Sequence, residues 1–255
     1  MLNVLTRILR FAGFTLLEYA RSGRALVEFI VIIVAYYLLF RGSTTPMNGE
    51  AFFSLSGLLM LALAFYTTSM ILGLGDRPQG YLVLSRRIGR SGYLLGLYLA
   101  ALVVLFAAYG LLSLVNALLS PVAMLGFAGW LGGSLPLLLN VAMIAAAVTL
   151  LAPMVLTARW RLVVLAAVAL AFSGSIFNSQ IMRDLAPVLR NLLGTLQVIF
   201  GAPLLPAFSG FALSISREYN GAAFAILLAQ LSLTLGLLAL ALYAFGRREI
   251  VFQGS

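Results

Sequence analysis

The chain has 255 residues, of which 63% are hydrophobic and 9% charged, and its formal charge of +9 comes from arginine because no lysine is present. A water-soluble chain of this length cannot bury so much apolar surface in one core, so lipid is the expected solvent for most of it. Cysteine and histidine are absent, which excludes disulfides and thiolate or imidazole metal sites, and short arginine clusters between apolar runs argue against nucleic-acid binding.

The N-terminal segment 1–22 predicts an amphipathic helix that lies in the membrane interface. Polar residues recur there at helical spacing, and the residues broadly opposite are apolar. The polar set is Asn3, Arg7, Arg10, Glu18 and Arg21, and the apolar set is Leu2, Leu5, Leu9, Leu16 and Tyr19. The helix either anchors the chain or also contacts a cytoplasmic partner, and its pattern is not that of a cleavable signal peptide.

Residues 23–250 predict an all-α transmembrane domain with six spanning helices, since a span needs about 20 mostly apolar residues. The predicted spans are 24–41, 51–74, 93–119, 130–154, 160–178 and 221–246. Residues 251–255 resemble the remnant of a protease tag site and carry no functional argument.

The arginines predict the orientation, because cytoplasmic loops of membrane proteins are enriched in basic residues. With both termini in the cytoplasm of a cell (inner) membrane protein, most arginines lie inside. The inner set is Arg7, Arg10, Arg21, Arg24, Arg77, Arg86, Arg87, Arg90, Arg159, Arg161, Arg247 and Arg248, and the outer set is Arg41, Arg183, Arg190 and Arg217. An odd number of spans would place the last arginine pair on the wrong side.

Two connections between spans carry further information. Segment 75–92 is the longest predicted cytoplasmic connection, and it contains turn residues on both sides of a short helix over Tyr81–Ile88. Arg86 and Arg90 stand four residues apart and so share a face, with Arg87 beside them. Segment 179–220, before the last span, is too apolar for a free loop and too rich in Pro and Gly to span. It predicts an outer helical hairpin that either dips into the outer leaflet or lies on it.

Enzyme chemistry is not expected from this chain. The phosphate-binding GxxxxGK[ST] loop cannot exist without lysine, and a nucleophilic serine would find no histidine or lysine as its base. Glu28 is the acidic residue expected within a span, four residues after Arg24, and the spacing predicts an interfacial ion pair. Uncharged polar residues in the spans either bond between helices or line a path: Thr67, Thr68, Asn116, Asn140, Thr149 and Gln230.

A short motif resembles a known family. The run Leu84-Ser85-Arg86-Arg87-Ile88-Gly89-Arg90-Ser91-Gly92-Tyr93-Leu94-Leu95-Gly96 is similar to the segment between the second and third spans of type-2 ABC exporter permeases. Arg87 stands where those proteins usually have proline, and Leu97 where they usually have lysine. The basic N-terminal helix, the six predicted spans, the broken outer hairpin and the final arginine pair resemble the family's layout as well.

The resemblance implies that residues 76–91 contain a coupling helix, which docks on a cytoplasmic ABC ATPase subunit. Its contact candidates would be Arg77, Arg86, Arg87 and Arg90, with Arg7 and Arg10 on the N-terminal helix. ATP and Mg would bind the partner ATPase, this chain would hold no cofactor, and a second permease, identical or homologous, would complete the path. An amphipathic or lipidic substrate suits a path with so few charges. The alternatives are a membrane scaffold or assembly subunit that transports nothing, and an uptake subunit of another ABC type.

Overall fold

The computed structural model describes residues 2–41, 47–75, 88–172, 194–196, 198–199 and 201–247. Within these ranges the regular secondary structure is helical, and the one extended pairing is an isolated bridge between Asn48 and Ala123. The all-α prediction is therefore confirmed for the part of the chain that the structure describes. The short helix predicted over Tyr81–Ile88 and the tag-like residues 251–255 lie outside it, apart from Ile88.

The helices follow the apolar runs of the sequence. In chain order they are α1 (Leu2–Arg21), α2 (Ala25–Ala35), α3 (Gly49–Gly75), α4 (Gly89–Leu119), α5 (Phe127–Leu151), α6 (Ala158–Phe172), α7 (Leu205–Ser216) and α8 (Ala223–Arg247). A π-helical turn over Tyr36–Phe40 continues α2, and a 3₁₀ turn over Ala202–Leu204 leads into α7.

Four of the described helices, α3, α4, α5 and α8, are long and apolar enough to cross a membrane. A fifth span results if α1 and α2, which are bent by 68° relative to each other, are counted as one broken span. The chain is thus a multi-pass helical membrane protein. The count of six stays a prediction, because the first predicted span coincides with α2 and its π-helical turn, and the fifth is described only as far as Phe172.

Hydrogen bonds between helices align the two ends of the bundle. At one end, the Tyr93 hydroxyl donates to the carbonyl of Gly75 (2.7 Å), so the start of α4 lies beside the end of α3. At the same end, Arg90 Nη1 donates to the carbonyl of Gly246 (3.2 Å) in the last turn of α8. This is the end that the arginine distribution predicts to be cytoplasmic, and we call it the arginine-rich end.

Proline inside α5 organises the opposite end. Pro136 has no backbone N–H, so the carbonyl of Gly132 one turn earlier loses its helical donor. The Tyr219 hydroxyl supplies a donor instead, at 2.6 Å. Ser214 Oγ of α7 donates to the neighbouring carbonyl of Gly133 at 2.8 Å. The connection 217–220 and the end of α7 are therefore bound to the first two turns of α5.

The N-terminal helix α1 has a buried side and an exposed apolar side, which is compatible with the predicted interfacial position. Its buried stripe is Ile8, Ala12, Thr15 and Tyr19, which recur at helical spacing. Leu5 and Leu9, on the predicted apolar face, are more than half exposed and available to lipid. The hydrophobic side of α1 is thus divided between contact with the bundle and contact with the surroundings.

Candidate functional site

The first candidate site is the surface at the arginine-rich end, where α1 packs on α4. Gly92 and Gly96 lie four residues apart on α4 and leave a shallow groove along one face of the helix. A Cβ at Gly96 would lie 2.5 Å from Cδ1 of Phe11, so only glycine allows this approach. Ile8 approaches Gly92, and the ring of Phe11 packs on that of Tyr93 with centroids 4.8 Å apart. Two of the three glycines of the family-like motif, Gly92 and Gly96, therefore contact the N-terminal helix.

The described coupling candidates belong to this surface. Arg7 precedes Ile8, which packs on α4, and Arg10 is exposed on the same helix. Arg90 lies in the first turn of α4 and is partly buried, with Nη1 on the carbonyl of Gly246. Gly89, before it, has φ +72°, a conformation that glycine adopts without strain. Arg77, Arg86 and Arg87 lie outside the described residues, so their part in this surface stays a prediction.

The second candidate site is the buried polar interior of the bundle. All six predicted path-lining residues are buried: Thr67, Thr68, Asn116, Asn140, Thr149 and Gln230. They do not form one continuous set of contacts. The structure brings Asn140 and Gln230 together and distributes the other four among separate neighbours.

Asn140 and Gln230 form a polar cluster between α5, α7 and α8. Gln230 Nε2 donates to Asn140 Oδ1 (2.8 Å) and to the carbonyl of Pro136 (3.1 Å). Asn140 Nδ2 donates in turn to the carbonyl of Ala207 (2.9 Å) at the beginning of α7. Gln230 packs directly against Gly210, and its Oε1 has no hydrogen-bond partner although it is buried. The cluster therefore holds α7 beside the middle of α5 and leaves one acceptor available.

This position bears on the predicted outer hairpin. Asn140 is 13 residues into α5, a rise of about 20 Å from its first residue. The start of α7 thus lies about half-way along α5, while its end lies near Gly133. Residues 179–193 lie outside the described part of the chain, so the hairpin as a whole, and whether it enters the membrane, stays a prediction.

Thr67 belongs to a different cluster, which is built around Glu28. The carboxylate of Glu28 is buried and accepts hydrogen bonds from the hydroxyls of Tyr19 and Thr67, the latter at 2.7 Å. Its second oxygen, Oε2, has no hydrogen-bond partner. Arg24 directs Nη1 to the carbonyl of Met70 instead (3.4 Å). The expected ion pair between Arg24 and Glu28 is therefore wrong, because the carboxylate bonds to Tyr19 of α1 and Thr67 of α3 while Arg24 bonds to Met70.

The remaining predicted polar residues have local roles. Thr149 Oγ1 donates to the carbonyl of Ala145 in its own helix (2.7 Å), and Asn116 Nδ2 donates to that of Leu112 (2.9 Å). Thr68 Oγ1 is buried with no partner. Asn116 also lines a cavity of about 520 Å³ at the end of the bundle opposite the arginine-rich end, with Phe52, Phe127 and Trp130 among its walls.

The sequence did not indicate which hydrogen-bond donors distant helices and connections supply. Tyr19, Ser214 and Tyr219 were not singled out as bonding residues, yet each donates a hydrogen bond between elements. A signal was present for Tyr219, because Pro136 in a predicted span must leave one carbonyl without its helical donor. Tyr219 lies in the connection outside the spans. Its side chain is about half exposed, and the partial desolvation of its hydroxyl raises the pKa above the usual tyrosine value.

Among the described residues, no group of three or more acidic, histidine or cysteine side chains could hold a metal ion. No protein-family model matches the chain, and no curated protein matches it. The similarity to type-2 ABC exporter permeases therefore rests on the residues of the motif and on the layout of the chain.

Proposed function

We propose that this chain is the transmembrane permease subunit of an ATP-binding cassette transporter and exports an amphipathic or lipidic substrate. The observation that carries the proposal is the packing of Ile8 and Phe11 on Gly92 and Gly96. It joins the interfacial helix to the helix that follows the predicted coupling segment, and it uses the glycines of the family-like motif. A partner that engages Arg86, Arg87 and Arg90 would move α1 and α4 together.

The interior of the bundle supports this class of substrate. The buried polar side chains of α3, α4, α5 and α8 are uncharged, so a path along these helices would offer hydroxyl and amide groups rather than fixed charges. Such groups suit a substrate with a large apolar part better than a small ion. The Gln230 Oε1 atom and the Thr68 hydroxyl are buried acceptors or donors that a passing substrate could use.

In this mechanism the energy comes from outside the chain. ATP and Mg bind two cytoplasmic ATPase subunits, each attached to one permease of a pair. Closure of the ATPases pushes segment 75–92 and the N-terminal helix, and the spans tilt as rigid bodies to open the path outward. Packed helix interfaces favour such discrete rigid-body movements over continuous deformation. The chain itself catalyses nothing and lies in the cell (inner) membrane with both termini in the cytoplasm.

A pull-down from native membranes in mild detergent tests the proposal. The wild-type chain is compared with a variant that carries Arg86→Glu, Arg87→Glu and Arg90→Glu. A matched control reverses three other arginines of the predicted cytoplasmic side, Arg159, Arg247 and Arg248. We expect an ATPase with nucleotide-binding motifs to co-purify with wild type and control and to be lost from the first variant, as identified by mass spectrometry.

The other outcomes separate the parts of the proposal. Equal recovery of the ATPase with both variants would retain the transporter and reject these contact residues. Recovery of a membrane complex without any ATPase, from a monodisperse preparation, would reject the transporter in favour of the scaffold subunit.

A further inference from the structure

A second cavity lies at the arginine-rich end of the bundle, away from the polar cluster of Asn140 and Gln230. It has a volume of about 400 Å³ and lies between the last turns of α3, the last turns of α5 and the beginning of α6. Its walls are Phe65, Ser69, Leu72, Gly73, Val148, Leu151, Ala152, Pro153, Met154 and Arg161. All of them are apolar or small except Ser69 and Arg161, so the cavity has one charged group in an apolar setting.

Arg161 is a cation with one buried donor that no described group of the protein accepts. Its Nε is buried and has no hydrogen-bond partner. Among the described residues that line the cavity none is acidic, so none of them supplies a carboxylate to the guanidinium. A buried donor on a charged group is costly unless something pairs with it. The guanidinium is planar and matches the two oxygens of a phosphate or carboxylate, and that geometry selects an anion.

The position of the cavity indicates what carries the anion. Gly73 is two residues from the end of α3, whereas Phe65 lies eight residues deeper, a depth of about 12 Å along the helix axis. Arg161 is in the first turn of α6, just after the connection 152–157 that follows α5, so the charged group lies near the level where α3 and α5 end. In a bilayer that level corresponds to the headgroups of the leaflet. The apolar wall extends from there towards the middle of the bundle. A cationic group above an apolar groove complements a membrane lipid, which has an anionic headgroup above an apolar chain.

We propose that this cavity binds one anionic lipid of the predicted cytoplasmic leaflet. Its phosphate pairs with Arg161, and an acyl chain lies along Phe65, Leu72 and Val148. Basic pockets between transmembrane helices on the cytoplasmic side are known to take phosphate headgroups, since the leaflet itself is anionic. The inference concerns binding by this chain alone, so it stands or falls independently of any ATPase or transport activity.

The test uses the full chain in nanodiscs made from equal parts of phosphatidylglycerol and phosphatidylcholine, released gently into a native mass spectrometer. Two variants address the two halves of the site. Arg161→Gln removes the charge. Gly73→Phe fills the groove, because Gly73 lines the cavity and a Cβ built on it meets nothing within 4 Å. Arg159→Gln is the matched control, since Arg159 is an exposed arginine in the same first turn of α6.

Wild type and Arg159→Gln should retain one phosphatidylglycerol in preference to phosphatidylcholine. The preference should fall about tenfold in Arg161→Gln, as expected for the loss of one charge-assisted contact. Gly73→Phe should lose bound lipid of both kinds while Arg161 is intact. Helical content by circular dichroism, measured in parallel, must match wild type for a variant to be scored.

Three results would overturn the proposal. Equal retention of the two lipids by wild type would show that the cavity does not select an anionic headgroup. An equal loss of the preference for phosphatidylglycerol in Arg159→Gln and Arg161→Gln would mean that surface charge, and not the cavity, attracts the lipid. Displacement of the lipid by millimolar inorganic phosphate alone would identify a simple anion site in which the acyl chain contributes nothing.

Discussion

Gln230 Nε2 donates to Asn140 Oδ1 at 2.8 Å, and this bond joins two helices whose residues are 90 positions apart in the sequence. Asn140 passes the connection on to the carbonyl of Ala207, so one pair of amides binds α5, α7 and α8 together. Amide pairs of this kind are short-range and directional, unlike the apolar contacts around them. The pair therefore fixes both the point along α5 at which α7 begins and the helices that α7 contacts.

Gly210→Ala tests this cluster. The added methyl group would overlap the amide of Gln230, which packs directly on Gly210, and would displace it from Asn140 and Pro136. Hydrogen bonds between membrane helices contribute about 0.6 kcal/mol each on average and up to about 1.7. We expect unfolding to become about 1–3 kcal/mol easier, with a Tm in detergent lower by about 2–4 °C for each kcal/mol.

Gly236→Ala is the control for that measurement. Gly236 lies on an exposed face of α8, and a Cβ there meets nothing within 4 Å. Alanine is the better helix former, so this variant should be as stable as wild type or slightly more stable. A Tm for Gly210→Ala equal to that of Gly236→Ala would contradict the close packing at Gly210.

Gly96→Leu should separate α1 from α4, because Phe11 occupies the space that a side chain at position 96 needs. The chain contains no cysteine, so a single Ala12→Cys substitution gives a clean probe of the buried face of α1. Maleimide should label this cysteine slowly in the otherwise wild-type chain and at least several times faster with Gly96→Leu. Gly110→Leu, on the same helix in open surroundings, should leave the slow rate unchanged. Equal labelling in all three would mean that Gly96 does not hold α1.

Replacement of Glu28 should distinguish its acceptor role from its charge. Glu28→Gln keeps an oxygen for the hydroxyls of Tyr19 and Thr67, and we expect its stability to remain within about 1 kcal/mol of wild type. Glu28→Leu leaves both hydroxyls buried and unpaired, at about 1–3 kcal/mol each. Thermal unfolding in detergent should give a higher Tm for Glu28→Gln than for Glu28→Leu. The control Glu218→Leu, which replaces an exposed acid, should have the Tm of wild type. If Glu28→Leu were as stable as Glu28→Gln, the carboxylate would not be organising these helices.

Long apolar runs made the main helices predictable. The predicted spans 51–74, 93–119, 130–154 and 221–246 coincide with α3, α4, α5 and α8, with ends that differ by four residues or fewer. All six polar residues that the sequence singled out in the spans are buried. A polar side chain in a span has a strong reason to face the bundle interior, because lipid offers it no hydrogen bond.

The choice of partners was not predictable from the same patterns. The i, i+4 spacing of Arg24 and Glu28 suggested a local pair, but the carboxylate bonds to Thr67, 39 residues away. Which face of a span meets protein was also hidden, since both lipid and the bundle interior are apolar. Two glycines four residues apart in a helix indicate close approach of another helix, and Gly92 and Gly96 have that spacing, but their contact with α1 was not among the predictions.

Tyr219→Phe should destabilise the protein at neutral pH by about 1 kcal/mol, the usual net value of one hydrogen bond, because it removes the donor that replaces the missing N–H of Pro136.

The effect of Tyr219→Phe should depend on pH. Burial raises the pKa of Tyr219, so its stabilising contribution is fully present below the ordinary tyrosine pKa of about 10 and is lost as the pH rises through the higher folded-state value. Denaturant midpoints of wild type and Tyr219→Phe should therefore differ at pH 8, and the difference should shrink as the pH is raised in steps above 10. Tyr243→Phe, at an exposed tyrosine of α8, should follow wild type throughout. A difference between wild type and Tyr219→Phe that did not shrink over that pH series would mean that the hydroxyl proton is not what stabilises this end of α5.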